Sequence, residues 1–168
     1  MTYPLKTYRF SSHARLIGMA KALPKPAIIL EVGIGCGYLG RELSGNGFRI
    51  IGLEKDRVSA ESAKNSYEDI LVCDVDRNGV PSLGAFDAIV LFDILEHLSD
   101  PLSSLKQISG SLNKGGRVFI CLPNIANWVI RLKLLFGNFN YSDKGILDRT
   151  HLRFFTFRAA KELIRASG

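Results

Sequence analysis

The residues that could do chemistry begin with three glycines at alternate positions, Gly33, Gly35 and Gly37, which follow a short apolar run containing Glu31. A strand, a glycine turn and a helix N-terminus let backbone amides approach a ligand that a Cβ would keep away. The spacing Gly35-x-Gly37-x-x-Gly40 also matches a dinucleotide-binding fingerprint. Its first glycine, however, lies three residues after Val32, which is too far from the strand end for the tight turn that this fingerprint needs. The alternate-glycine pattern starts where the strand should end, and its carboxylate suits the amino group of a bound amino acid better than a pyrophosphate. For the glycines taken alone, an ordinary strand-to-helix turn is the alternative.

Three further acids close apolar runs later in the chain, and they are Glu54, Asp74 and Asp93. Glu54 lies about 20 positions after the glycine turn, which is the spacing at which an acid reaches ribose hydroxyls. This spacing fits either kind of adenosine cofactor and does not discriminate between them.

The elements that must position these acids follow a regular order. Five short apolar runs alternate with helical patterns of about ten residues, which predicts an α/β domain with a doubly wound, mostly parallel sheet. Right-handed crossovers give the strand order 3-2-1-4-5, and ligands in such sheets lie beyond the carboxyl ends of strands 1 and 4. The predicted strands are 28–32, 49–54, 69–74, 86–92 and 117–122, and the predicted helices are 9–22, 38–44, 56–65, 100–112 and 156–166.

Length and composition predict one globular domain over 1–168, with an N-terminal helical segment at 1–26 and a lid or acceptor-pocket segment at 127–155. The net charge is +6, and 128–168 holds 8 Lys/Arg against 3 Asp/Glu, which fits an anionic partner or a solvated face.

Because no apolar run could span a membrane and the N-terminus lacks a secretory apolar core, we expect a cytoplasmic protein. The 3 cysteines show no zinc-type spacing, so no metal site is expected.

The order of the motifs is more specific than any one of them. Between Ile28 and Asn124 the chain contains, in sequence, ILEVGIGCG, IIGLEKD, LVCDV, FDAIVLFDILEHLSDP and LNKGGRVFICLPN. Together these segments resemble the consecutive motifs of class I S-adenosylmethionine-dependent methyltransferases. The Glu-His-Leu-x-Asp-Pro run is similar to that of ubiquinone-biosynthesis O-methyltransferases and of methyltransferases from bacterial polysaccharide clusters. The resemblance implies a Rossmann-like enzyme that uses S-adenosylmethionine and releases S-adenosylhomocysteine.

The residues that the resemblance implies for cofactor binding share one location, the carboxyl ends of strands 1 to 4. They are Glu31, Gly33, Gly35 and Gly37 for the methionine part, Glu54 for the ribose, Asp74 and Val75 for the adenine, Phe92 and Asp93 for the pocket wall, and Lys55 with no particular part of the cofactor assigned. A methyl group on a sulfonium is already activated, so the protein must mainly align the acceptor. Such alignment can contribute about 7–11 kcal/mol.

A hydroxyl acceptor also has to lose a proton, and two histidines are catalytic candidates for that step. His97 follows strand 4 on the ligand edge, and a loop histidine bonded to backbone is an equal alternative for it. His151 lies in a polar cluster with Phe154 and Phe155 behind it, so it could help to build the acceptor pocket or could cap the helix near Thr156. We favour the acceptor pocket.

Segment 127–141 carries apolar residues at helical spacing, among them Trp128, Leu132 and Phe136. The pattern favours a helix that faces the core. The alternative is a lid, or a peripheral membrane contact that approaches a lipid-linked acceptor. No nucleic-acid partner is expected, because the chain shows neither clear basic–aromatic interleaving nor a recognised module.

The resembled fold continues with two strands after its last helix, whereas this chain stops at Gly168. We therefore expect 117–122 to be an open sheet edge. Either a second copy in a homodimer would cover this edge, or the sequence is a trimmed piece of a longer enzyme. Three functions follow from these patterns. The first is O-methylation of a small-molecule acceptor or a sugar-, lipid- or quinone-like hydroxyl. The others are a catalytically silent S-adenosylmethionine-binding or partner-binding domain and a nicotinamide oxidoreductase, and Glu31 and the glycine register weaken the last.

Overall fold

The computed structural model describes residues 11–168. The first ten residues, which include part of the predicted segment 1–26 and the start of the predicted helix 9–22, lie outside the described residues. The strands are β1 Ala27–Val32, β2 Phe48–Glu54, β3 Asp69–Val72, β4 Phe86–Phe92 and β5 Leu112–Cys121. The helices are α1 Ser12–Lys21, α2 Tyr38–Leu43, α3 Arg57–Ala63, α4 Val75–Asn78, α5 Pro101–Ser109, α6 Trp128–Leu135 and α7 Phe157–Ser167, with short 3₁₀ turns at Lys64–Ser66 and Leu95–His97.

The five strands form one parallel sheet in the order β3-β2-β1-β4-β5, which confirms the predicted fold class. β1 is central and pairs with β2 from Ala27 opposite Phe48 and with β4 from Ile29 opposite Ala88. The strand order reverses between β1 and β4, and such a reversal opens a crevice at the carboxyl ends of the strands.

Two apolar clusters cover the two faces of the sheet. Leu16 of α1 and Leu43 of α2 pack with Ile29 on one face. Ile108 of α5 belongs to the cluster on the other face together with Leu30. Because successive strand residues point to opposite faces, a strand covered on both sides must be apolar almost throughout. This is why β1 and β4 were easy to predict.

The helix starts follow from local chemistry that the sequence displays. Ser11, Asp56, Asp100 and Thr156 each accept a hydrogen bond from a backbone amide in the first turn of the helix that follows. Each bond satisfies a donor that has no partner inside the helix. Pro101 occupies the first turn of α5, where a missing N–H costs nothing.

The predicted start of the fifth strand was wrong. The expected loop at 113–116 belongs to β5, which begins at Leu112, and α5 already ends at Ser109. The register between β4 and β5 shifts near Phe86, so that the extra residues leave the regular ladder. Gly115, with a φ of +82°, supplies the backbone conformation that this irregular stretch requires.

The prediction that the apolar side chains of 127–141 face the core was also wrong. Ile130 is buried, but Trp128, Leu135 and Phe136 are 71%, 77% and 72% exposed. An apolar pattern at helical spacing shows that residues share a face, but it does not show that another element covers that face. No helix among residues 11–168 combines the length and apolar character that a bilayer crossing needs.

β5 lies at one end of the sheet, as predicted. Within the described part of the chain, no strand pairs with its outer side. A groove of about 520 Å³ lies beside the end of β5, and its lining includes Leu122, Phe155, Phe157 and Ile164.

Candidate cofactor and acceptor site

The glycine loop between β1 and α2 uses backbone conformations that glycine favours. Gly33, Gly35 and Gly37 have φ angles of +75°, +50° and +70°, in the left-handed region that other residues rarely adopt. A Cβ on Gly33 would lie 2.0 Å from Cδ1 of Ile94, so the loop packs closely on the segment after β4. At Gly35, by contrast, no heavy atom of the described residues lies within 4 Å of a Cβ position, apart from Gly35 itself and its two neighbours in the chain. Gly35 therefore leaves room where the loop turns toward α2.

Glu31 is a buried acid beside this loop, with only 4% of its surface exposed. Its Oε2 accepts a hydrogen bond from the Tyr67 hydroxyl at 2.6 Å, and the same hydroxyl accepts one from the Gly40 N–H at 3.2 Å. Burial raises the pKa of Glu31 from 4.5 to about 8, and the hydrogen bond from Tyr67 opposes that rise. A cationic group placed beside this carboxyl would favour its ionised form.

Glu54, the last residue of β2, joins the second strand to the glycine loop. Its Oε2 accepts the Gly35 N–H at 2.9 Å, and its other oxygen accepts a backbone amide two residues further on at 2.9 Å. The neighbouring Lys55 is exposed. Its positive charge contributes to the lowered pKa values of both Asp76 and His97.

Asp74 lies at the carboxyl end of the third strand, next to Glu54. The Cys73 N–H donates to the Glu54 carbonyl at 2.8 Å, which extends the pairing of the two strands. Asp74 caps α4, its carboxylate accepting the Asp76 N–H at 3.1 Å, and its side chain is 30% exposed. Val75 begins α4 and packs against the apolar cluster on that face. Both residues therefore lie at the predicted edge.

The end of β4 is shaped by two unusual features. The Phe92 ring stacks on His13 of α1 with a centroid separation of 4.2 Å and an interplanar angle of 14°. Asp93 has a φ of +50° although it is not glycine, and such backbone strain is concentrated at functional sites. Its N–H donates to the Cys121 carbonyl at 3.1 Å, which fixes this turn against β5.

His97 and His151 lie side by side, although they are far apart in the chain. Thr150, whose carbonyl oxygen contacts Nδ1 of His97, is 53 residues after it. Their ring centroids are 4.8 Å apart in an edge-to-face arrangement. Nδ1 of His97 lies 3.1 Å from the Thr150 carbonyl oxygen, and Nδ1 of His151 lies 3.1 Å from the Ile146 carbonyl oxygen. Burial lowers the pKa of His97. His97 is thus a loop histidine bonded to backbone, and His151 does not cap α7, because Thr156 does.

Glu96 lies beside the two histidines and is 0% exposed. Its Oε1 lies 4.0 Å from Nε2 of His151. Burial raises the pKa of Glu96 to about 8. Its backbone carbonyl accepts the N–H groups of Leu152 and Arg153 at 2.9 and 3.1 Å, which holds the segment after His151 against the end of β4.

Comparison with known families decides what kind of domain carries this geometry. A family model described as a methyltransferase domain matches residues 6–168. The chain belongs to this methyltransferase family. Its cofactor is S-adenosylmethionine, and the match settles the choice between the two ligands that the glycine spacing left open.

Individual relatives of the methyltransferase domain are more distant. The chain is 30% identical over 127 residues to a ubiquinone biosynthesis O-methyltransferase from Nitrosococcus oceani, a match that covers 72% of this chain and 50% of that protein. It therefore spans about half the length of the curated relatives it matches.

Two solved structures share the fold. One is a possible histamine N-methyltransferase from Thermotoga maritima, with a TM-score of 0.67, 21% identity, and coverage of 91% of this chain and 68% of that one. The other is the N-methyltransferase NodS from Bradyrhizobium japonicum, in complex with S-adenosylhomocysteine, with a TM-score of 0.56, 17% identity, and coverage of 63% of this chain and 57% of that one.

The residues at this edge of the methyltransferase domain fit the cofactor. S-adenosylmethionine carries an ammonium, a sulfonium and two ribose hydroxyls, and the open face at Gly35 lies next to the carboxylate of Glu54. The second buried carboxylate, Glu31, lies in the strand that leads into the same loop. Acids suit both the cationic and the hydroxyl groups. The contact that each of these residues makes with the cofactor stays a prediction.

Sequence reasoning missed three residues of this region, Tyr67, Glu96 and His13. Nothing in the sequence signals that Tyr67, in a loop before β3, would reach Glu31. Glu96 could have been found, because it directly precedes the candidate His97 in the short segment after a buried strand. His13 lies on α1, whose position over β4 is a tertiary property.

Proposed function

We propose that this chain is the catalytic domain of an O-methyltransferase acting on a hydroxyl group of a small-molecule acceptor or of a sugar-, lipid- or quinone-like one. The observation that carries the proposal is the pair of histidines at the end of β4, beside the predicted cofactor edge. The name of the relative from Nitrosococcus oceani, a ubiquinone biosynthesis O-methyltransferase, supports transfer to oxygen.

The proposed chemistry assigns a separate task to each part of the site. The cofactor supplies a methyl group that its sulfonium has already activated. Glu31 meets the ammonium and Glu54 the ribose, so that the sulfonium is held in one orientation over the end of β4. The acceptor hydroxyl approaches His97 and His151, and the lone pair on an imidazole nitrogen receives its proton as the oxygen attacks the methyl carbon.

The tautomers support this role for the histidines. A carbonyl oxygen can only accept, so Nδ1 donates in both His97 and His151. In the neutral ring the lone pair is therefore on Nε2. Such a fixed orientation is what a general base requires.

The test is transfer of a labelled methyl group from S-adenosylmethionine to a panel of hydroxylated acceptors. We expect turnover, and we expect His97→Ala and His151→Ala to lower kcat by about 10²–10⁴-fold while cofactor affinity is retained. Glu162→Gln, a change at an exposed position of α7, is the control and should leave turnover unchanged. Transfer only to amine acceptors, or full activity in both histidine variants, would contradict the proposal.

We also propose that α6 and the loop after it bring the domain to an anionic membrane surface, where a lipid-linked acceptor would be found. Trp128, Leu135 and Phe136 are exposed. Arg131 and Lys133 are exposed on the same helix, so the segment offers both apolar anchors and positive charge.

Trp128 is the only tryptophan of the chain and reports on this surface directly. We expect its fluorescence to shift to the blue on adding vesicles that contain phosphatidylglycerol, but not on adding phosphatidylcholine vesicles. Exchanging Arg131 and Lys133 for glutamate should abolish the shift. No shift with either kind of vesicle would contradict the membrane contact.

The outer side of β5 is the proposed surface of a homodimer. The groove beside it, lined by Leu122, Phe157 and Ile164 among others, would give such a pairing an apolar contact. Sedimentation equilibrium should show a dimer that Phe157→Glu dissociates, and a wild-type monomer at all concentrations would exclude it.

A binding-only domain is the second candidate function. It is favoured by the backbone hydrogen bonds of His97 and His151, which are also typical of histidines with a structural role. Tight binding of S-adenosylmethionine without turnover on any hydroxylated acceptor would support this candidate.

A further inference from the structure

Glu96 is a buried carboxyl group whose surroundings do not satisfy it. It is 0% exposed, and among the described residues neither of its side-chain oxygens has a hydrogen-bond partner. A buried polar group without a partner is rare in proteins and calls for an explanation, and a bound ion is one of the recognised ones. Nε2 of His151 lies 4.0 Å from Oε1, which is too far for a hydrogen bond.

The two histidines beside Glu96 are oriented as metal ligands usually are. Each donates its Nδ1–H to a backbone carbonyl, His97 to Thr150 and His151 to Ile146. An imidazole that is held in this way by a backbone acceptor presents the lone pair of Nε2, and such outer hydrogen bonds are the usual second partners of metal-bound histidines. The backbone thus fixes both rings in a ligating tautomer.

Distance brings the three groups into one site. One ligand atom from each of Glu96, His97 and His151 lies within 4.8 Å of the others. The carboxylate of Glu96 would offset part of the charge of a cation bound between these groups.

We propose that Glu96, His97 and His151 bind one divalent transition-metal cation, of which Zn²⁺ is the representative. Two imidazole nitrogens and one carboxylate oxygen suit Zn²⁺, Co²⁺ and Mn²⁺ better than Mg²⁺, which prefers oxygen ligands only. Three protein ligands leave at least one coordination position open, as in catalytic rather than structural zinc sites.

The inference rests on the O-methyltransferase proposal for its consequence and revises one step of it. The Nε2 lone pairs hold the cation, so they no longer receive the acceptor proton. The acceptor hydroxyl would occupy the open position, and the cation would lower its pKa so that the proton leaves to solvent. The oxygen lone pair then forms the bond to the methyl carbon, and the carbon–sulfur bond pair remains on sulfur as a neutral thioether. In this arrangement the cation, not an imidazole, activates the acceptor, and the histidines hold the cation.

The cation can be tested without any acceptor or cofactor. The whole 168-residue chain is freed of metal with a chelator and titrated with ZnCl₂ in a calorimeter and with CoCl₂ under visible absorption. We expect one equivalent of each to bind, with MgCl₂ at least about tenfold weaker. The Co²⁺ spectrum should show ligand-field bands and no thiolate charge-transfer band, since the 3 cysteines are not ligands.

Variants assign the binding to the cluster. Glu96→Gln keeps the size of the side chain and should weaken Zn²⁺ binding by about 100-fold or more. His97→Gln, at a less buried position, is the second variant, and circular dichroism and urea unfolding check that both still fold. His13→Asn is the matched histidine control and should bind Zn²⁺ as the wild type does.

Equal Zn²⁺ affinity in the wild type, Glu96→Gln and His97→Gln would overturn the inference, as would a thiolate band in the Co²⁺ spectrum. Failure of the O-methyltransferase proposal is distinguishable. In that case Zn²⁺ binds as expected but no hydroxyl acceptor is methylated in its presence. Methylation at an undiminished rate in a chelator would contradict the cation while leaving the enzyme proposal intact.

Discussion

Two buried glutamates, Glu31 and Glu96, have the same chemistry but different surroundings. Both lie on the ligand edge of the sheet, are at most 4% exposed, and have a pKa that burial raises to about 8. Glu31 has a partner, because the Tyr67 hydroxyl donates to it at 2.6 Å. Glu96 has none among the described residues.

The difference separates an acid that the fold has already satisfied from one that it has left for a ligand. Removing one partner of a buried hydrogen bond leaves the other group with its full cost of desolvation. Tyr67 avoids that cost for Glu31 in the free protein. At Glu96 the same cost is still present, and a bound cation would offset it.

The largest expected effect concerns the cofactor. Glu31→Gln removes the charge proposed to meet the ammonium, so we expect S-adenosylmethionine to bind about 30-fold more weakly or worse, corresponding to about 2 kcal/mol or more. Glu96→Gln is the matched control and should change the dissociation constant by less than about twofold. Calorimetry measures both, and equal losses would remove the distinction between the two acids.

The second prediction concerns stability in the presence of a chelator. Tyr67→Phe leaves Glu31 without its donor and should lower the free energy of unfolding by about 1–3 kcal/mol. Glu96→Met replaces an unsatisfied polar group by an apolar one of similar length, so it should leave stability unchanged or raise it by up to about 1–3 kcal/mol. Urea unfolding compares the two. A marked loss in Glu96→Met would mean that Glu96 has a structural partner.

The third prediction tests the packing that holds Tyr67 in place. A Cβ on Gly40 would lie 2.4 Å from Cε2 of Tyr67 and 2.7 Å from the carbonyl oxygen of Ser66. Gly40→Ala should therefore destabilise the protein by about 1–3 kcal/mol, because the backbone oxygen cannot move aside easily.

Gly18→Ala is the control for that change. Gly18 lies in α1, and within residues 11–168 no heavy atom other than those of its chain neighbours and of the backbone of α1 is within 4 Å of its Cβ position. The substitution should raise stability by about 1 kcal/mol through helix propensity alone. Thermal and urea unfolding should thus show a lower free energy of unfolding for Gly40→Ala and a higher one for Gly18→Ala, although both are glycine-to-alanine changes in helices.

The last prediction concerns the dependence of stability on pH. The pKa of Glu31 is about 8 in the folded protein and 4.5 for an unperturbed glutamate, so the folded state holds a proton that the unfolded state has lost between these values. The contribution of Glu31 is therefore fully present below about pH 4.5 and is lost as the pH rises to about 8. Unfolding of Glu31→Gln between pH 5 and 8 should show a shallower decline than the wild type. Parallel curves would mean that Glu31 is ionised in the folded protein.

Much of the fold was visible in the sequence. Buried strands read as apolar runs, and Asp100 followed by Pro101 marked the start of α5, because these signals depend on neighbours in the chain. The acids that end the strands, such as Glu54, could be placed on one edge because parallel strands share their carboxyl ends.

The failures have a common physical cause. The exposure of Trp128 and Leu135 depends on which elements reach that side of the molecule, and a helical pattern alone cannot reveal this. The same holds for the contact between Tyr67 and Glu31, which joins a loop to a strand 36 residues away. The early start of β5 depends on a bulge, and a loop-like sequence conceals it.

The most direct test of the whole account is a crystal structure of the chain with S-adenosylhomocysteine. We predict the ligand at the carboxyl ends of β1 and β2, with its ammonium at hydrogen-bond distance from Glu31 and its ribose hydroxyls on Glu54. A ligand bound elsewhere, with Glu31 still held by Tyr67 and Glu54 still on the Gly35 amide, would contradict it.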